Sequence, residues 1–269
     1  AGTEVTLTAD VEGGLAESAD QYQFTVSQGV FSNISGVSGV TSLTTGDDVS
    51  ATYNLPFTFN INGTNYTSYT FWTNGYIYMG GNYIYPFRQD LVATSTYAVT
   101  TGTAPNRVYT IQQYGYVYSY SSYFYFQIKL YEGSNKIEYV YGPGFTSLSY
   151  ANSLIGLYGP SSSYVNCVVP TGSGTASQTT STSGSWTYTS TAQAQYLTSG
   201  TTYTFSPGSP VSYQWAVNGV PMQENENTIT VSPTETTTYT VTVTDQEHEC
   251  PAILDYKVRV IPEVTVTPE

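Results

Sequence analysis

The stretch that most constrains the fold runs from residue 55 to residue 81 and reads LPFTFNINGTNYTSYTFWTNGYIYMGG. It contains three short runs in which apolar and polar residues alternate, which is the period of strands with one buried face. Asn62-Gly63 and Asn74-Gly75 separate these runs, and Asn-Gly readily adopts the positive φ angles of tight hairpin turns. The stretch therefore predicts a three-stranded antiparallel meander.

A second group of three strands is predicted between residues 107 and 141. The segments RVYTIQQ (107–113), YFYFQIKLY (123–131) and KIEYVY (136–141) follow one another closely, so we expect successive antiparallel partners. Alternation predicts that one face of the middle strand is buried, and this face carries Phe124, Phe126, Ile128 and Leu130. No segment predicts a helix. The expected fold class is therefore all-β, with an antiparallel β-sandwich followed by a small second β-sandwich module.

The balance of charge argues against two classes of partner. Of the 269 residues only 9% are charged, the formal net charge is −13, and six residues are Lys or Arg. Nucleic acids and anionic membrane surfaces are bound through Lys and Arg, so neither is an expected partner. No apolar run approaches the ~18 residues of a spanning helix, so we expect no direct membrane insertion. The 28 tyrosines and the weakly charged, hydroxyl-rich strands are typical of an extracellular protein.

The composition changes at SPGSP (residues 206–210), a segment with proline and glycine that predicts a linker. Beyond it, alternating segments predict further strands, with Trp215 in the middle of one strand and Asn218-Gly219 at a turn. We therefore expect a first domain over residues 1–206 and a second over residues 207–262. Residues 263–269 are expected to be a linker or the first strand of a further module.

Four segments occur in order within residues 20–206: PFTFNINGTNYTSYTFWTNGYIYMGG, the run from GTAPNRVYTIQ to KIEYVYG, NSLIGLYG and TSGTTYTF. Together they resemble the nidogen-like, jelly-roll type β-sandwich domains of secreted surface proteins of the Bacteroidetes. The resemblance implies a cell-surface or extracellular setting, with export by the type IX secretion route. Residues 209–262, through YQW, NG and TYTVTVTD, resemble the small immunoglobulin-like or PKD-like modules of bacterial surface proteins.

Tyrosines alternate along QYGYVYSYSSYFYFQIKLY (residues 113–131), across two adjoining predicted strands. Two interpretations remain open for them. They could form a platform for sugar rings or for a partner protein, since tyrosine offers a large amphipathic contact area. They could equally be good occupants of a solvent-facing strand surface. The candidate binding surface consists of Tyr114, Tyr116, Tyr118, Tyr120, Tyr123 and Tyr125.

His248 is the only histidine, and it lies in the acidic segment DQEHEC (residues 245–250). The chain contains no Gly-x-Ser-x-Gly segment, so a serine–histidine mechanism is not indicated. Asp245, Glu247 and Glu249 could surround a metal ion together with this histidine. The segment lacks the glycine-punctuated spacing of hard-cation loops, and we expect a solvated loop there.

Glycoside hydrolysis is the enzymatic activity to consider, because it needs only two carboxyl groups across a cleft. The candidate carboxylates are Glu132 and Glu138, with Asp90 as a third. Because nothing in the sequence marks a cleft, we favour structural ion pairs for the two glutamates, with candidate basic partners Arg107, Lys129 and Lys136. We therefore expect that the chain is not an enzyme.

Acidic turn residues are the candidates for binding a cofactor. Asp47 and Asp48, and likewise Asp10 and Glu12, could hold calcium, although acidic residues at turns more often cap the backbone. No cofactor other than this candidate calcium is expected. The two cysteines, Cys167 and Cys250, could pair or remain two thiols, and the sequence leaves both alternatives open.

The segments TEVTLTADV (residues 3–11) and PEVTVTPE (residues 262–269) alternate like strands but have no hairpin partner nearby. Either each pairs within its own sheet, or it adds to another copy of the chain and forms a homo-polymer. We expect a structural or adhesive module of a secreted or cell-surface protein, with a filament subunit as one form of it. The alternative is a carbohydrate-binding module that accompanies a secreted enzyme. The expected partners are other copies of the surface protein or glycans.

Overall fold

The all-β fold predicted from the sequence is confirmed. A computed structural model describes residues 2–9, 16–119, 122–145, 152–168, 177–181, 189–190, 197–208, 211–245 and 251–261. These residues form 22 β-strands in antiparallel pairs and two single-turn 3-10 helices, at Ala19–Gln21 and Pro160–Ser162. Within them, no helix has the length and apolar content needed to cross a membrane. The chain divides into a larger unit, residues 13–208, and a smaller unit, residues 1–12 with 209–269.

The larger unit contains two sheets of eight strands each. The first sheet has the order β2 (Tyr22–Gln28), β17 (Thr201–Pro207), β12 (Ile137–Tyr141), β11 (Tyr123–Tyr131), β10 (Val108–Val117), β9 (Leu91–Thr101) and β3 (Thr41–Ser42), with β4 (Gly46–Asp47) also on β9. The second has the order β15 (Ser177–Ser181), β14 (Tyr164–Val168), β13 (Asn152–Tyr158), β8 (Asn82–Arg88), β7 (Tyr76–Met79), β6 (Thr64–Trp72) and β5 (Ser50–Ile61), with β16 (Thr189–Ser190) on β13. The two predicted strand groups are the hairpin runs β5-β6-β7 and β10-β11-β12.

The hydrophobic core of the larger unit draws on both of its sheets, which therefore pack as a sandwich. The predicted core face of β11 is confirmed, because none of its four side chains retains exposed surface: Phe124, Phe126, Ile128 and Leu130. The second sheet contributes equally buried side chains to the same core, among them Phe59, Phe71 and Ile77. Burying each such side chain stabilises the fold by about 1.5–3 kcal/mol before entropy is counted.

Buried tyrosines link the two sheets of the larger unit by hydrogen bonds across the core. The hydroxyl of Tyr139 on β12 donates to the carbonyl oxygen of Gly156 on β13 at 2.8 Å. The hydroxyl of Tyr141, also on β12, donates to the carbonyl oxygen of Pro86 on β8 at 2.8 Å. A buried hydroxyl without a partner would destabilise the fold, so these bonds allow tyrosine to serve as a core residue.

The two predicted turns of the meander differ in geometry. Asn62 and Gly63 both have positive φ, 51° and 73°, as a two-residue hairpin turn requires. The next connection has three residues, 73–75, and Gly75 takes the positive φ, 77°. A Cβ atom at Gly75 would lie 2.4 Å from the carbonyl oxygen of Phe87, so both the φ angle and the space require glycine there.

The smaller unit also has two sheets. One has four strands in the order β19 (Val220–Pro221), β18 (Val211–Val217), β21 (Thr237–Asp245) and β22 (Pro251–Val258). The other pairs β1 (Val5–Thr8) with β20 (Thr228–Val231). A separate core takes side chains from both sheets: Leu7, Ala9, Trp215, Ile229, Val231, Tyr239, Val241 and Val243.

Residues 1–12 belong to the smaller unit. From the sequence they were expected to be part of the first domain, residues 1–206. Strand β1 pairs with β20, so the segment before the larger unit belongs to the smaller one. The physical reason is that Leu7 and Ala9 bury their side chains in the core of that unit. This segment, expected to lack a nearby hairpin partner, is thus paired within its own chain. Residues 262–269, which hold the other expected terminal strand, lie outside the described residues.

Candidate binding surfaces and acidic sites

Four of the six tyrosines predicted to form a binding surface lie on the outer face of the first sheet. Tyr114 and Tyr116 on β10 stand opposite Tyr125 and Tyr123 on β11. The ring of Tyr114 stacks on that of Tyr123 with centroids 6.1 Å apart, and it meets Tyr125 edge-on at 5.1 Å. Tyr123 keeps 49% of its surface exposed, and Tyr118, just beyond β10, keeps 48%. The β10–β11 tyrosine surface is defined as Tyr114, Tyr116, Tyr123 and Tyr125.

A loop covers the neighbouring part of the same sheet face. The side chains of Gln112 and Gln127 are buried there and hydrogen bond to each other at 2.8 Å, from Nε2 of Gln127 to Oε1 of Gln112. The backbone of the loop, residues 29–36, donates to Gln112 at 3.0 Å and accepts from Gln127 at 2.6 Å. Phe31 in the loop packs on Tyr125 with ring centroids 4.5 Å apart. The β10–β11 tyrosine surface therefore borders a part of the sheet that the loop covers.

A second aromatic surface lies on the outer face of the second sheet, and the sequence analysis did not single it out. Ring centroids 4.9–6.1 Å apart connect its members into one group. Trp72 and Tyr76 are stacked at 5.7 Å, as are Tyr83 and Tyr85 at 5.5 Å. The β6–β8 aromatic surface, which also takes one residue from β13, is defined as Trp72, Tyr76, Tyr78, Tyr83, Tyr85 and Tyr158.

Alternation along β7 explains why these rings face outward. Ile77 and Met79 are buried in the core, so Tyr76 and Tyr78 between them point to the other face of the sheet. In β8, Ile84 is buried in the same core, and Tyr83 and Tyr85 on either side of it lie on the other face, where Tyr83 is partly exposed and Tyr85 is buried among its neighbours. This alternation was visible in the sequence. The alignment of four strands that joins the rings into one surface was not.

Charge is sparse on the β6–β8 aromatic surface. The guanidinium carbon of Arg88 lies 6.0 Å from the ring centroid of Tyr85. Burial raises the pKa of Tyr76 and of Tyr85, and the positive charge of Arg88 opposes the rise. Both phenols are therefore protonated at neutral pH. Ring faces of this kind can hold the apolar face of a sugar or the apolar side chains of a partner, while hydroxyl groups supply hydrogen bonds.

Three carboxylates come together where β4 meets the start of β9. The carboxylate oxygens of Asp47, Asp48 and Asp90 all lie within 4.8 Å of one another, and the three side chains are exposed. The amide of Asn74 connects the two segments, because its Nδ2 donates to Asp48 at 2.8 Å and its Oδ1 accepts from the backbone of Leu91 at 3.0 Å. The sequence predicted the first two aspartates as calcium candidates and considered Asp90 only as a catalytic group.

The proximity of the three carboxylates changes the pKa of Asp90 and could allow them to share a cation. Desolvation, with the negative charges of Asp47 and Asp48, raises the pKa of Asp90 above its ordinary value. Calcium takes about six to eight oxygen ligands at about 2.3–2.6 Å, so carboxylates at this spacing could share one ion. Water would have to supply the remaining ligands of such an ion.

The candidate catalytic glutamates take part in ion pairs. Nε of Arg107 donates to Oε2 of Glu132 at 2.7 Å, and Nζ of Lys136 lies 3.2 Å from Oε1 of Glu138. The hydroxyl of Tyr131 also donates to Glu138. The hydrogen bonds from Arg107 hold the pKa of Glu132 below its usual value. A glycosidase general acid needs a raised pKa, so this shift has the opposite direction.

Several predicted site residues lie outside the described residues, and of Asp245 only the backbone is described. They are Asp10, Glu12, Tyr120, Glu247, His248, Glu249 and Cys250. Cys167 is buried in the core of the larger unit, and burial raises the pKa of its thiol. Whether the two cysteines pair therefore stays an open prediction.

The larger unit matches a known protein family. The sequence model of the family described as NIDO related matches residues 21–207, which is more than half of the chain and runs from β2 to β17. No curated protein and no solved structure matches the chain.

Proposed function

Because the chain belongs to the NIDO-related family, with a nidogen-like domain as its larger unit, we propose that it is an adhesive module of a secreted or cell-surface protein. Its weakly charged, hydroxyl-rich strands support a role at the exterior of the cell. The ion pairs of Glu132 and Glu138 support binding rather than hydrolysis as its activity.

The observation that carries this proposal is the β6–β8 aromatic surface. Six large rings, connected pairwise by ring contacts, lie on the outer side of a sheet whose inner side already fills the core. Five of them are partly exposed, and Tyr85 keeps 8% of its surface exposed. Aromatic residues are enriched where proteins bind partners, and contiguous exposed apolar area marks contact sites. The β10–β11 tyrosine surface, on the opposite side of the sandwich, is the second binding candidate and keeps its most exposed ring at Tyr123.

Other copies of the surface protein and glycans are the partners that these surfaces suit. A sparsely charged patch, whose neighbouring charges Arg88 and Asp48 have opposite signs, favours a neutral partner surface over a highly charged one. Glycan binding has its own support, because Trp72 and Tyr76 are both partly exposed and their nearly parallel rings offer a surface on which a sugar ring could stack. A carbohydrate-binding module beside a secreted enzyme is therefore the alternative function.

From the sequence resemblance we propose that the chain is part of a Bacteroidetes-type surface protein exported by the type IX route. Its location would be extracellular or at the cell surface. The smaller unit is proposed to be an immunoglobulin-like or PKD-like module, supported by Trp215, which is buried in its core and donates from Nε1 to the carbonyl oxygen of Glu226 at 2.9 Å. Association of such chains into a filament is the form of self-adhesion that we propose.

A binding comparison of two double variants tests the function. The full chain is immobilised and probed with soluble full chain and with a panel of neutral polysaccharides. Trp72→Ala with Tyr83→Ala removes rings from the β6–β8 aromatic surface, and Tyr114→Ala with Tyr123→Ala is the matched control on the opposite face. We expect the first variant to lose about tenfold or more in affinity, because aromatic anchors dominate interface energies, while the control keeps its affinity.

The two probes separate the alternatives. Binding of soluble chain identifies self-adhesion, and binding of a polysaccharide identifies the carbohydrate-binding function. Loss of affinity only in the Tyr114/Tyr123 variant would move the site to the β10–β11 tyrosine surface. Unchanged affinity in both variants, or release of sugar fragments from a polysaccharide, would contradict the proposal.

A further inference from the structure

Strand β20 has a single strand partner in the described part of the chain, and that partner is β1. The two strands pair antiparallel, with Leu7 opposite Ile229 and Val5 opposite Val231. If β1 were removed, this layer of the smaller unit would be reduced to one strand. Even a two-stranded hairpin is marginally stable alone in water, so β1 is needed to complete the layer.

The apolar side chains of the segment of residues 2–9 fit the core beside β20. Leu7 and Ala9 are buried there together with Trp215. A Cβ atom at Gly2 would lie 1.9 Å from the carbonyl oxygen of Pro233, so the segment approaches the backbone closely at its other end. The fit therefore extends from one end of the segment to the other.

Polar contacts fix the same segment from two directions. The backbone nitrogen of Ala9 donates to the carbonyl oxygen of Asn227 at 2.8 Å. The hydroxyl of Tyr256, on the four-stranded sheet, donates to the carbonyl oxygen of Thr8 at 2.8 Å. Main-chain hydrogen bonds combined with alternate side chains in apolar sites are the features by which proteins bind an added strand.

The order of the chain separates this segment from the rest of its unit. Strand β1 precedes the larger unit, whereas β18 to β22 follow it. Thr8 and Thr228, which share a hydrogen bond, are 220 residues apart in sequence. The segment is therefore held in place by the contacts of β1 and not by a short hairpin connection.

We propose that β20 and the adjoining core form an acceptor groove for an extended segment, and that residues 2–9 of a second copy of this chain occupy it in an assembled form. The contacts are the same whichever copy donates the segment, so exchange alters only the connectivity. The equilibrium between the closed monomer and the exchanged form depends on the effective concentration of the chain's own segment relative to the concentration of segments from other copies. The inference deepens the proposed self-adhesion and rests on it for the biological role of the assembly.

Two complementary full-length variants test the exchange. Leu7→Asp disables the donor segment and leaves the acceptor intact, while Ile229→Asp disables the acceptor and leaves the donor intact. Both variants also carry Trp72→Ala and Tyr83→Ala, so that the β6–β8 aromatic surface does not mediate association. We expect each of them alone to be monomeric in analytical ultracentrifugation and their mixture to form a 1:1 heterodimer. A mixture that stays monomeric would overturn the exchange.

A peptide measurement keeps the inference testable if the Ile229→Asp chain does not fold. The full chain lacking residues 2–9 is titrated with a labelled peptide GTEVTLTA, and with the same peptide carrying aspartate in place of leucine. We expect saturable 1:1 binding of the first peptide and affinity at least about tenfold weaker for the second, because a buried leucine is replaced by a charge. Equal affinities, or no binding while the larger unit stays folded, would overturn the acceptor groove.

The outcomes also separate this inference from the proposed function. Heterodimer formation with unchanged adhesion of the Trp72/Tyr83 variant would uphold the groove and contradict adhesion through the aromatic surface. Loss of adhesion in that variant, with no heterodimer in the mixture, would support adhesion through the aromatic surface and contradict the acceptor groove.

Discussion

Trp72 stacks on Tyr76 on the outer face of the second sheet, with ring centroids 5.7 Å apart and planes 9° from parallel. The two residues are register partners on β6 and β7. Their neighbours Phe71 and Ile77 form the next register pair and are buried in the core on the other side. Both faces of this hairpin are thus apolar, and only one of them is used for folding. On the other face, Trp72 and Tyr76 remain partly exposed.

The assignment of faces in β11 can be checked with a pair of neighbouring variants. Phe126→Ala removes a fully buried ring and should lower the free energy of unfolding by about 3–5 kcal/mol. Tyr125→Ala removes an outer-face ring that packs on Phe31 and Tyr114, and it should lower stability by about 1 kcal/mol. Urea unfolding of both variants measures the difference. Equal losses would mean that the faces are assigned wrongly.

The ion pair of Glu132 with Arg107 should show in the pH dependence of stability. The folded pKa of Glu132 is lowered, so its contribution is present above the unfolded pKa and is lost as the pH falls through the folded pKa. Glu132→Gln should therefore lower the unfolding midpoint at pH 7 and have little effect once the pH is well below 4.5. Denaturant unfolding at both pH values measures this. A loss of stability that is independent of pH would indicate a packing effect instead.

The three clustered aspartates should destabilise the fold at neutral pH. The folded pKa of Asp90 is raised, so the favourable contribution of its proton is present below the ordinary value of 3.8 and is lost as the pH rises through the folded pKa. Asp90→Asn should accordingly raise the melting temperature at pH 7 and leave it unchanged near pH 3. We expect millimolar calcium to raise the melting temperature of the wild type and not that of the variant. An equal calcium response in both would exclude this cluster as the binding site.

A side chain at Gly75 should destabilise the fold. Its φ is 77°, and a Cβ atom would lie 2.4 Å from the carbonyl oxygen of Phe87. Gly39 is the matched control, because its φ is 81° but an added Cβ would meet nothing within 4 Å. Both alanine variants carry the backbone strain of positive φ, about 1 kcal/mol, and Gly75→Ala should add about 1–3 kcal/mol for the clash. Similar unfolding midpoints for the two variants would contradict this account of the turn.

Local patterns in the sequence predicted the strands and their buried faces well. The alternation around Phe126 indicated which side of β11 enters the core, and Asn62-Gly63 indicated a hairpin turn, since both features depend on residues close in sequence. Alternation does not show what covers the opposite face. Gln127 lies on the face of β11 opposite the core, and the loop of residues 29–36 closes over it by accepting a hydrogen bond from its side chain.

Features that depend on distant segments could not be predicted. The pairing of Leu7 with Ile229 joins residues on either side of the whole larger unit, and neither short strand indicates its partner. Asp90 joins Asp47 and Asp48 because β4 pairs with β9, a contact between a two-residue strand and a long one. The β6–β8 aromatic surface likewise depends on the side-by-side order of four strands, although each tyrosine was visible alone.

Hydroxyl-radical footprinting tests the β6–β8 aromatic surface most directly. The full chain is footprinted free in solution and when bound to the immobilised chain or polysaccharide that it adheres to. Trp72 and Tyr83 should be oxidised more slowly in the adhered state, because binding covers the β6–β8 aromatic surface. Tyr123, exposed on the opposite face of the sandwich, should be oxidised at the same rate in both states. Unchanged oxidation of Trp72 and Tyr83, with protection of Tyr123 or of residues elsewhere, would contradict adhesion through this surface.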